Sequence, residues 1–421
     1  MREATIDVLP KAHPLLCRRV SAEAGTSRSN SAMQTPPVHA GLLRDGSRRR
    51  VGVLNPYYGL EKVSYTLPLR DFSFVTVKAL PIHRYLDKRG TFWAQTPFVA
   101  DRSVELVHTF NSLPVNSRRF VVSFEMELPR YLGRCSSAQM NIGWRILRSN
   151  RCKAILALSE AARKFLEARL LRSGNTDLGA KLGVFRGAVL SDGVTGAFDG
   201  PTDDTRPLQV IFVGADARRK GLVPLLGALQ KLRDGGLEVG LTVVSSIEDH
   251  TYVFPDDFHP AAELRARIQA LSWVRYHPHL PNARVKELMR RSDLFVLPTL
   301  DESLGWAIIE AGMAGIPVIS TNIFAIPELV QDGEGGRLVP LELNEDLRWN
   351  GIYLGDDAKR EAAAQAFATL EAKLVELLND ANANRALLKR WGRASRDRLS
   401  KMYDPGMAAA TLEQIYKRAL S

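Results

Sequence analysis

From Val51 onward the chain is marked by short apolar runs rich in β-branched residues: VGVL at 51–54, FSFVTVKAL at 72–80, VELVHTF at 104–110, RFVVSFEM at 119–126 and AILALSE at 154–160. Runs of this kind form strands buried on both faces of a parallel sheet, and helix-length segments separate most of them. The alternation lapses between Phe185 and Asp204, where FRGAVLSDGVTGAFDGPTDD is dense in Gly, Asp, Thr and Pro, the composition of an interdomain linker. It resumes with LQVIFVGA at 208–215, a helix from Lys220, the strand LEVGLTVVSS at 237–246, WVRYHPHL at 273–280 and DLFVLP at 293–298. Strand and helix in alternation predict doubly wound α/β sheets, two of them, facing a cleft.

Both ends of the chain depart from this texture. Residues 1–48 lack periodicity and are rich in Ser, Arg, Ala and Pro, which predicts a mobile tail. After Pro340 the strands cease, and Phe367, Leu370, Leu374, Leu377 and Leu378 fall on one helical face. Further helices are expected over 385–403 and 407–420, around the breaker Asp404-Pro405-Gly406. The predicted organisation is a tail over 1–48, an N-terminal Rossmann-like domain over 49–195 and a C-terminal Rossmann-like domain over 196–384. Helices over 385–421 are expected to pack back on the N-terminal domain.

Composition narrows the class. The 421 residues, 45% hydrophobic and 24% charged, suit a globular protein of two domains. Cys17, Cys135 and Cys152 are too scattered for a disulfide framework or a zinc site. No apolar run reaches the ~18 residues of a membrane span, and Glu3 and Asp7 stand where a signal peptide needs a basic start. A cytoplasmic protein is expected. The net charge of +11 is concentrated between Arg118 and Arg186, where fourteen basic residues face five acidic ones. This suggests either an anionic partner or a solvated basic face. Within it, residues 139–151 (QMNIGWRILRSNR) place Met140, Trp144 and Leu147 on one stripe beside Arg145, Arg148 and Arg151. That pattern fits peripheral contact with an anionic membrane at the inner face, or a helix packed on the sheet with snorkelling arginines. No nucleic-acid recognition motif accompanies the basic patch.

The densest chemistry lies between Asp293 and Pro340. Asp293–Pro298 reads as a strand, Ser303–Met313 as a helix and Pro317–Ser320 as the next strand, a βαβ unit whose ligand edge is the carboxyl end of the first strand. Backbone donors at Ser303, Leu304 and Gly305 would meet phosphate at the helix start. Glu302 and Glu310, eight residues apart, would stand about 12 Å apart on a helix rising ~1.5 Å per residue, the span from a hexose to a ribose across a diphosphate. The plainer alternative makes one a helix-dipole partner and the other a polar-face residue.

This stretch resembles the retaining glycosyltransferases of family 4, which have the two-domain GT-B fold. The resemblance runs through Glu302, Ser303, Leu304, Gly305, Glu310, Ala311, Ala314, Gly315, Pro317, Val318, Ile319, Pro327, Glu328, Leu329, Val330, Asp332, Gly333 and Gly336, with the family's E-x7-E spacing. A second match covers Val213, Gly214, Lys220 and Gly221. The resemblance implies a retaining, metal-independent hexosyltransferase that needs no cofactor beyond its nucleoside-diphosphate sugar donor. It implies a glycan, lipid-linked or small-molecule acceptor, with Lys220 neutralising the diphosphate beside Gly214. The Arg expected after that glycine is Ala215, so Arg218 or Arg219 would substitute from the loop. His277 and His279 read as local packing.

In the first domain, the family's glycine-rich loop is Asn55-Pro56-Tyr57-Tyr58-Gly59, in which the tyrosines would stack on a sugar or pack in the core. Where the family places a His after the fourth strand, this chain has Glu125, which could orient an acceptor hydroxyl or form a structural ion pair. Ser159 would lie near the cleft floor. A non-catalytic sugar-nucleotide-binding or scaffold protein of the same fold is the competing expectation.

Overall fold

The computed structural model describes residues 48–54, 65–86, 91–100, 103–131, 133, 135–189 and 206–421. The expected N-terminal tail to Ser47, Cys17, the 55–59 loop and most of the linker lie outside the described residues.

Among the described residues the first domain has six parallel strands: β1 (Arg49–Leu54), β2 (Phe72–Val77), β3 (Leu106–Phe110), β4 (Arg119–Phe124), β5 (Cys152–Ala157) and β6 (Leu182–Val184). Their order is β2-β1-β3-β4-β5-β6. Helix α1 (Ser137–Arg148) opens with a capping box formed by Ser136 and Gln139, and α2 (Glu160–Arg172) follows β5. Trp144, Ile146 and Leu147 of α1 are buried, and Arg169 of α2 lies over the Trp144 ring. The stripe is therefore packed within the domain, the second of the two readings its pattern allowed. Its exposed Arg148 pairs with Asp177.

The second sheet is also fully parallel. It holds β7 (Leu208–Val213), β8 (Val239–Val244), β9 (Val274–His277), β10 (Leu294–Leu297), β11 (Val318–Thr321) and β12 (Gly336–Val339), ordered β12-β11-β10-β7-β8-β9. Its helices are α3 (Leu222–Asp234), α4 (Ala261–Ala270), α5 (Asn282–Arg290), α6 (Trp306–Met313) and the single turn α7 (Ile326–Leu329). The chain runs outward from β7 to β9, then returns to β10 on the other side. That reversal opens a crevice at the carboxyl ends of β7 and β10.

Helix α6 starts three residues later than the sequence predicts. Gly305 takes the left-handed conformation (φ 92°), so residues 302–305 form a loop and the helix begins at Trp306. The helical rise between Glu302 and Glu310 therefore does not apply, because Glu302 is not on the helix.

Three helices complete the chain: α8 (Asp356–Ala383), α9 (Arg385–Met402) and α10 (Pro405–Leu420), the last starting at Asp404, whose side chain accepts from the Met407 N–H. Asp404-Pro405 thus separates two helices as expected, and it also begins the second of them, with Pro tolerated in the first turn. Helix α9 stays on the second domain, where Leu399 and Ser395 lie over Gly312 and the Trp391 indole donates to the Gly333 carbonyl (2.8 Å). Helix α10 crosses to the first sheet. Its Tyr416 hydroxyl meets His108 Nδ1 (2.7 Å), while the Phe72 ring stands edge-on to it. Among the described residues no helix is long and apolar enough to cross a membrane.

Candidate active site

The crevice is built by two loops pressed together. The loop after β7 ends at Gly221, which takes a left-handed φ of 82° and caps α3. A side chain there would collide with the carbonyl oxygen of Pro298 at the end of β10. This close approach places Lys220 beside residues 301–302. Its stem lies along Gly214, and its buried ammonium pairs with the Glu302 carboxylate and faces the Asp301 carbonyl (3.4 Å). Burial alone would raise the Glu302 carboxyl, but Lys220, with Arg219 behind it, outweighs that and holds it below its ordinary value.

The structure separates the two adjacent arginines. Arg219 faces the crevice, donating to the Asp216 carboxylate (3.1 Å) and to the Asp301 carbonyl (2.8 Å), with Tyr252 beneath its guanidinium. Arg218 is fully buried and points away. It donates to the carbonyls of Asp249 (3.1 Å), Asp256 (2.8 Å) and Phe258 (2.8 Å) and lies over the Phe254 ring. Its guanidinium is committed to pinning the loop after β8, so the expected role of Arg218 at the donor is not supported by its position.

Beside Glu302 stands a group that sequence reasoning did not select. Asp301 Oδ1 accepts from both Nε (3.0 Å) and Nη2 (2.8 Å) of Arg348, while its Oδ2 accepts from the hydroxyl of Tyr252. Arg348 in turn donates to the Tyr353 hydroxyl (3.0 Å). Adjacency to Glu302 could have flagged Asp301. Arg348, forty-seven residues further on, carries no local signal.

The remaining donor-side residues are dispersed around this core. The Ser303 N–H donates to the Glu302 side chain (3.1 Å), and the Leu304 side chain is buried in the hydrophobic core. Glu310, on α6, accepts from Asn282 Nδ2 (3.3 Å) at the start of α5 and so faces the loop after β9. Thus Lys220, Arg219, Glu302 and Gly214 come together, while Glu310 stands apart on α6, turned toward the neighbouring loop.

Across the crevice, Glu125 follows β4. Its N–H donates to Asn111 Oδ1 (3.3 Å), its carboxylate lies 3.6 Å from Arg130, and Trp306 of α6 bonds to it from the other domain. Burial pushes its carboxyl up, and the Glu302 charge pushes the same way against Arg130 and Trp306. Two carboxylates therefore face each other with opposed shifts. Glu127 is taken by Arg169, and the Ser159 hydroxyl caps α2 by accepting from the Ala162 N–H (3.0 Å). Neither points to substrate chemistry. No group of three or more His, Cys, Asp or Glu with metal-binding geometry occurs among the described residues.

Comparison with known proteins agrees with this architecture. Residues 207–354 match the family described as "Glycosyl transferases group 1". An α-maltose-1-phosphate synthase of Mycobacterium tuberculosis is 28% identical over 216 residues, 51% of this chain and 49% of that protein. A D-inositol 3-phosphate glycosyltransferase of Corynebacterium glutamicum is 29% identical over 187 residues, 42% of this chain and 44% of its own length. The chain thus spans about half the length of the curated relatives it matches. Among solved structures, a sucrose-phosphate synthase from Thermosynechococcus elongatus superposes with a TM-score of 0.56 over 89% of this chain and 99% of its own, at 14% identity. The Anabaena protein HepE, solved with UDP, gives 0.56 over 88% and 99%, at 12% identity. These structural likenesses establish the fold. Residues 207–354 thus resemble a glycosyl transferases group 1 domain, and the chain as a whole has the GT-B fold of these solved structures.

Proposed function

We propose that this protein is a retaining, metal-independent glycosyltransferase that moves a hexose from a nucleoside-diphosphate sugar to a glycan, lipid-linked or small-molecule acceptor in the cytoplasm. The observation that carries this reading is the buried Lys220–Glu302 pair at the switch point of the second sheet, with Arg219 beside it. A buried ammonium held next to the N-terminus of α6 is suited to a diphosphate. The second domain's relatives and the UDP-bound neighbours support the same class of donor.

In this reading the donor diphosphate takes over Lys220 and Arg219. These fixed cations supply the charge neutralisation that a divalent ion would otherwise provide. Glu302, released from Lys220, turns to the sugar hydroxyls, and Glu310 accepts from the ribose. The bond from the anomeric carbon to the β-phosphate oxygen breaks, and the acceptor oxygen bonds that carbon on the same face. The acceptor proton passes to the departing phosphate. Glu125, holding its proton more tightly than an ordinary carboxyl, orients the acceptor hydroxyl from the opposite wall.

A panel of UDP, GDP and ADP sugars, assayed for nucleotide release and for product stereochemistry, tests the proposal. Turnover with one donor and a retained anomer support it. Binding without turnover would favour a sugar-nucleotide-binding protein, a reading consistent with Ala215 standing where the family has Arg.

A further inference from the structure

The two domains meet at a contact that none of the donor chemistry uses. Glu328 lies in α7 of the second domain, directly after Pro327, and its carboxylate crosses to the first. It accepts from the N–H of Glu160 (3.1 Å) and the N–H of Ala161 (2.8 Å), the first donors of α2, and from Arg186 Nη2 (3.1 Å). A helix start leaves such N–H groups without partners in its own helix. Ser159 takes that of Ala162, and the Glu160 side chain is engaged with Arg163. The anion that completes the α2 cap thus comes from the other domain, 167 residues away in sequence.

The surroundings make this a point of articulation. Arg186 begins the descent into the linker, and three residues later the Val189 N–H donates to the carbonyl of Tyr403 (3.3 Å), where the chain crosses back between α9 and α10. The last described residues before the linker and the return crossing at Tyr403 therefore lie side by side near the Glu328 contact. Further along α2, Phe165 stands edge-on to Phe324, and Arg172 meets Glu345 and Asp346 (3.2 Å each). One face of α2 is held along its length by the second domain. At its N-terminal anchor three donors converge on a single carboxylate.

We propose that Glu328 is a positioning residue: by capping α2 from across the interface it sets the distance between the two walls of the crevice, and so the placement of Glu125 opposite Glu302 and Lys220. The inference rests on the glycosyltransferase reading for its kinetic consequence. Its structural consequence stands independently. Glu328 touches no reacting group, so its loss should separate closure from donor capture.

The test combines Glu328→Gln, which keeps the shape and removes the charge, with Arg186→Gln, which weakens the contact from the other side. Each variant is measured by small-angle X-ray scattering, by calorimetric titration with UDP and by steady-state turnover with the donor found active in the wild type. The expected result is a larger radius of gyration for both variants without UDP. UDP affinity should stay within about twofold of wild type, and kcat should fall by about tenfold or more. The double variant should be no worse than the more affected single one, because both act through one contact. Unchanged scattering and kcat in both variants would overturn the proposal, as would a loss of UDP affinity parallel to the loss of kcat. If the wild type turns over no donor, the functional reading fails while the scattering comparison still decides whether Glu328 holds the domains.

Discussion

Lys220 and Glu302, eighty-two residues apart in sequence, form a buried ion pair at the point where the second sheet reverses its strand order. Each is the other's nearest compensation for burial. A donor diphosphate would replace one anion with another at the same cation, so that an empty crevice keeps its charges matched.

Glu302→Gln removes that compensation and leaves Lys220 buried without its anion, at a cost of about 3–5 kcal/mol. The Glu302 carboxyl is lowered in the folded state, so the pair's contribution is fully present above the ordinary value of 4.5 and is lost as pH falls through the folded value. The difference between wild type and variant in urea unfolding should therefore shrink on acidification. Adding UDP should recover more stability in the variant than in wild type. A difference independent of pH would contradict the assignment.

Glu125→Gln should have the opposite pH signature. The folded protein holds the Glu125 proton more tightly than the unfolded chain does, because of burial, with Glu302 adding to the effect and Arg130 and Trp306 opposing it. Wild-type stability relative to the variant should therefore fall as pH rises above 4.5 toward the raised folded value. Unfolding midpoints measured between about pH 4 and 8 check this, and parallel curves would remove Glu125 from the role given to it.

Arg218→Ala and Arg219→Ala should fail in different assays. Losing the Arg218 bonds to the loop after β8 should cost about 3 kcal/mol or more, seen as a lower melting temperature. Losing Arg219 should cost about 1 kcal/mol of stability but weaken nucleotide binding about tenfold or more. Equal effects of the two in both assays would contradict the division of labour.

Gly221→Ala should destabilise the second domain by about 2 kcal/mol or more, since the left-handed backbone and the Pro298 carbonyl both resist a side chain. Because that contact brings Lys220 to Glu302, nucleotide affinity should fall as well. A variant with wild-type melting and affinity would show that the loop position is not set there.

The sequence made the strands readable because parallel strands buried on both faces need continuous apolar runs, as LFVL in β10 and FVVSF in β4 illustrate. Lys220 and Glu302 were each singled out by family-like spacing, but their pairing across eighty-two residues was not. The late start of α6 was not, since Gly305 announces permissiveness without announcing a left-handed turn. Arg218 and Arg219 are chemically identical neighbours, and only the fold decides which one faces the crevice. Pairings such as Asp301 with Arg348 and Glu328 with α2 join residues whose nearness is created by topology, so no local pattern foretells them. The same holds for α9 and α10, which are consecutive in the chain yet dock on different domains.

The central claim is that the second domain binds a nucleoside diphosphate on Lys220. Calorimetric titration of wild type and Lys220→Ala with UDP, GDP and ADP tests it most directly. The account predicts saturable binding of at least one nucleotide to wild type, weakened about a hundredfold in the variant, in keeping with the loss of a buried charge-assisted contact. Binding of none of the three, or equal binding to a folded Lys220→Ala variant, would contradict it.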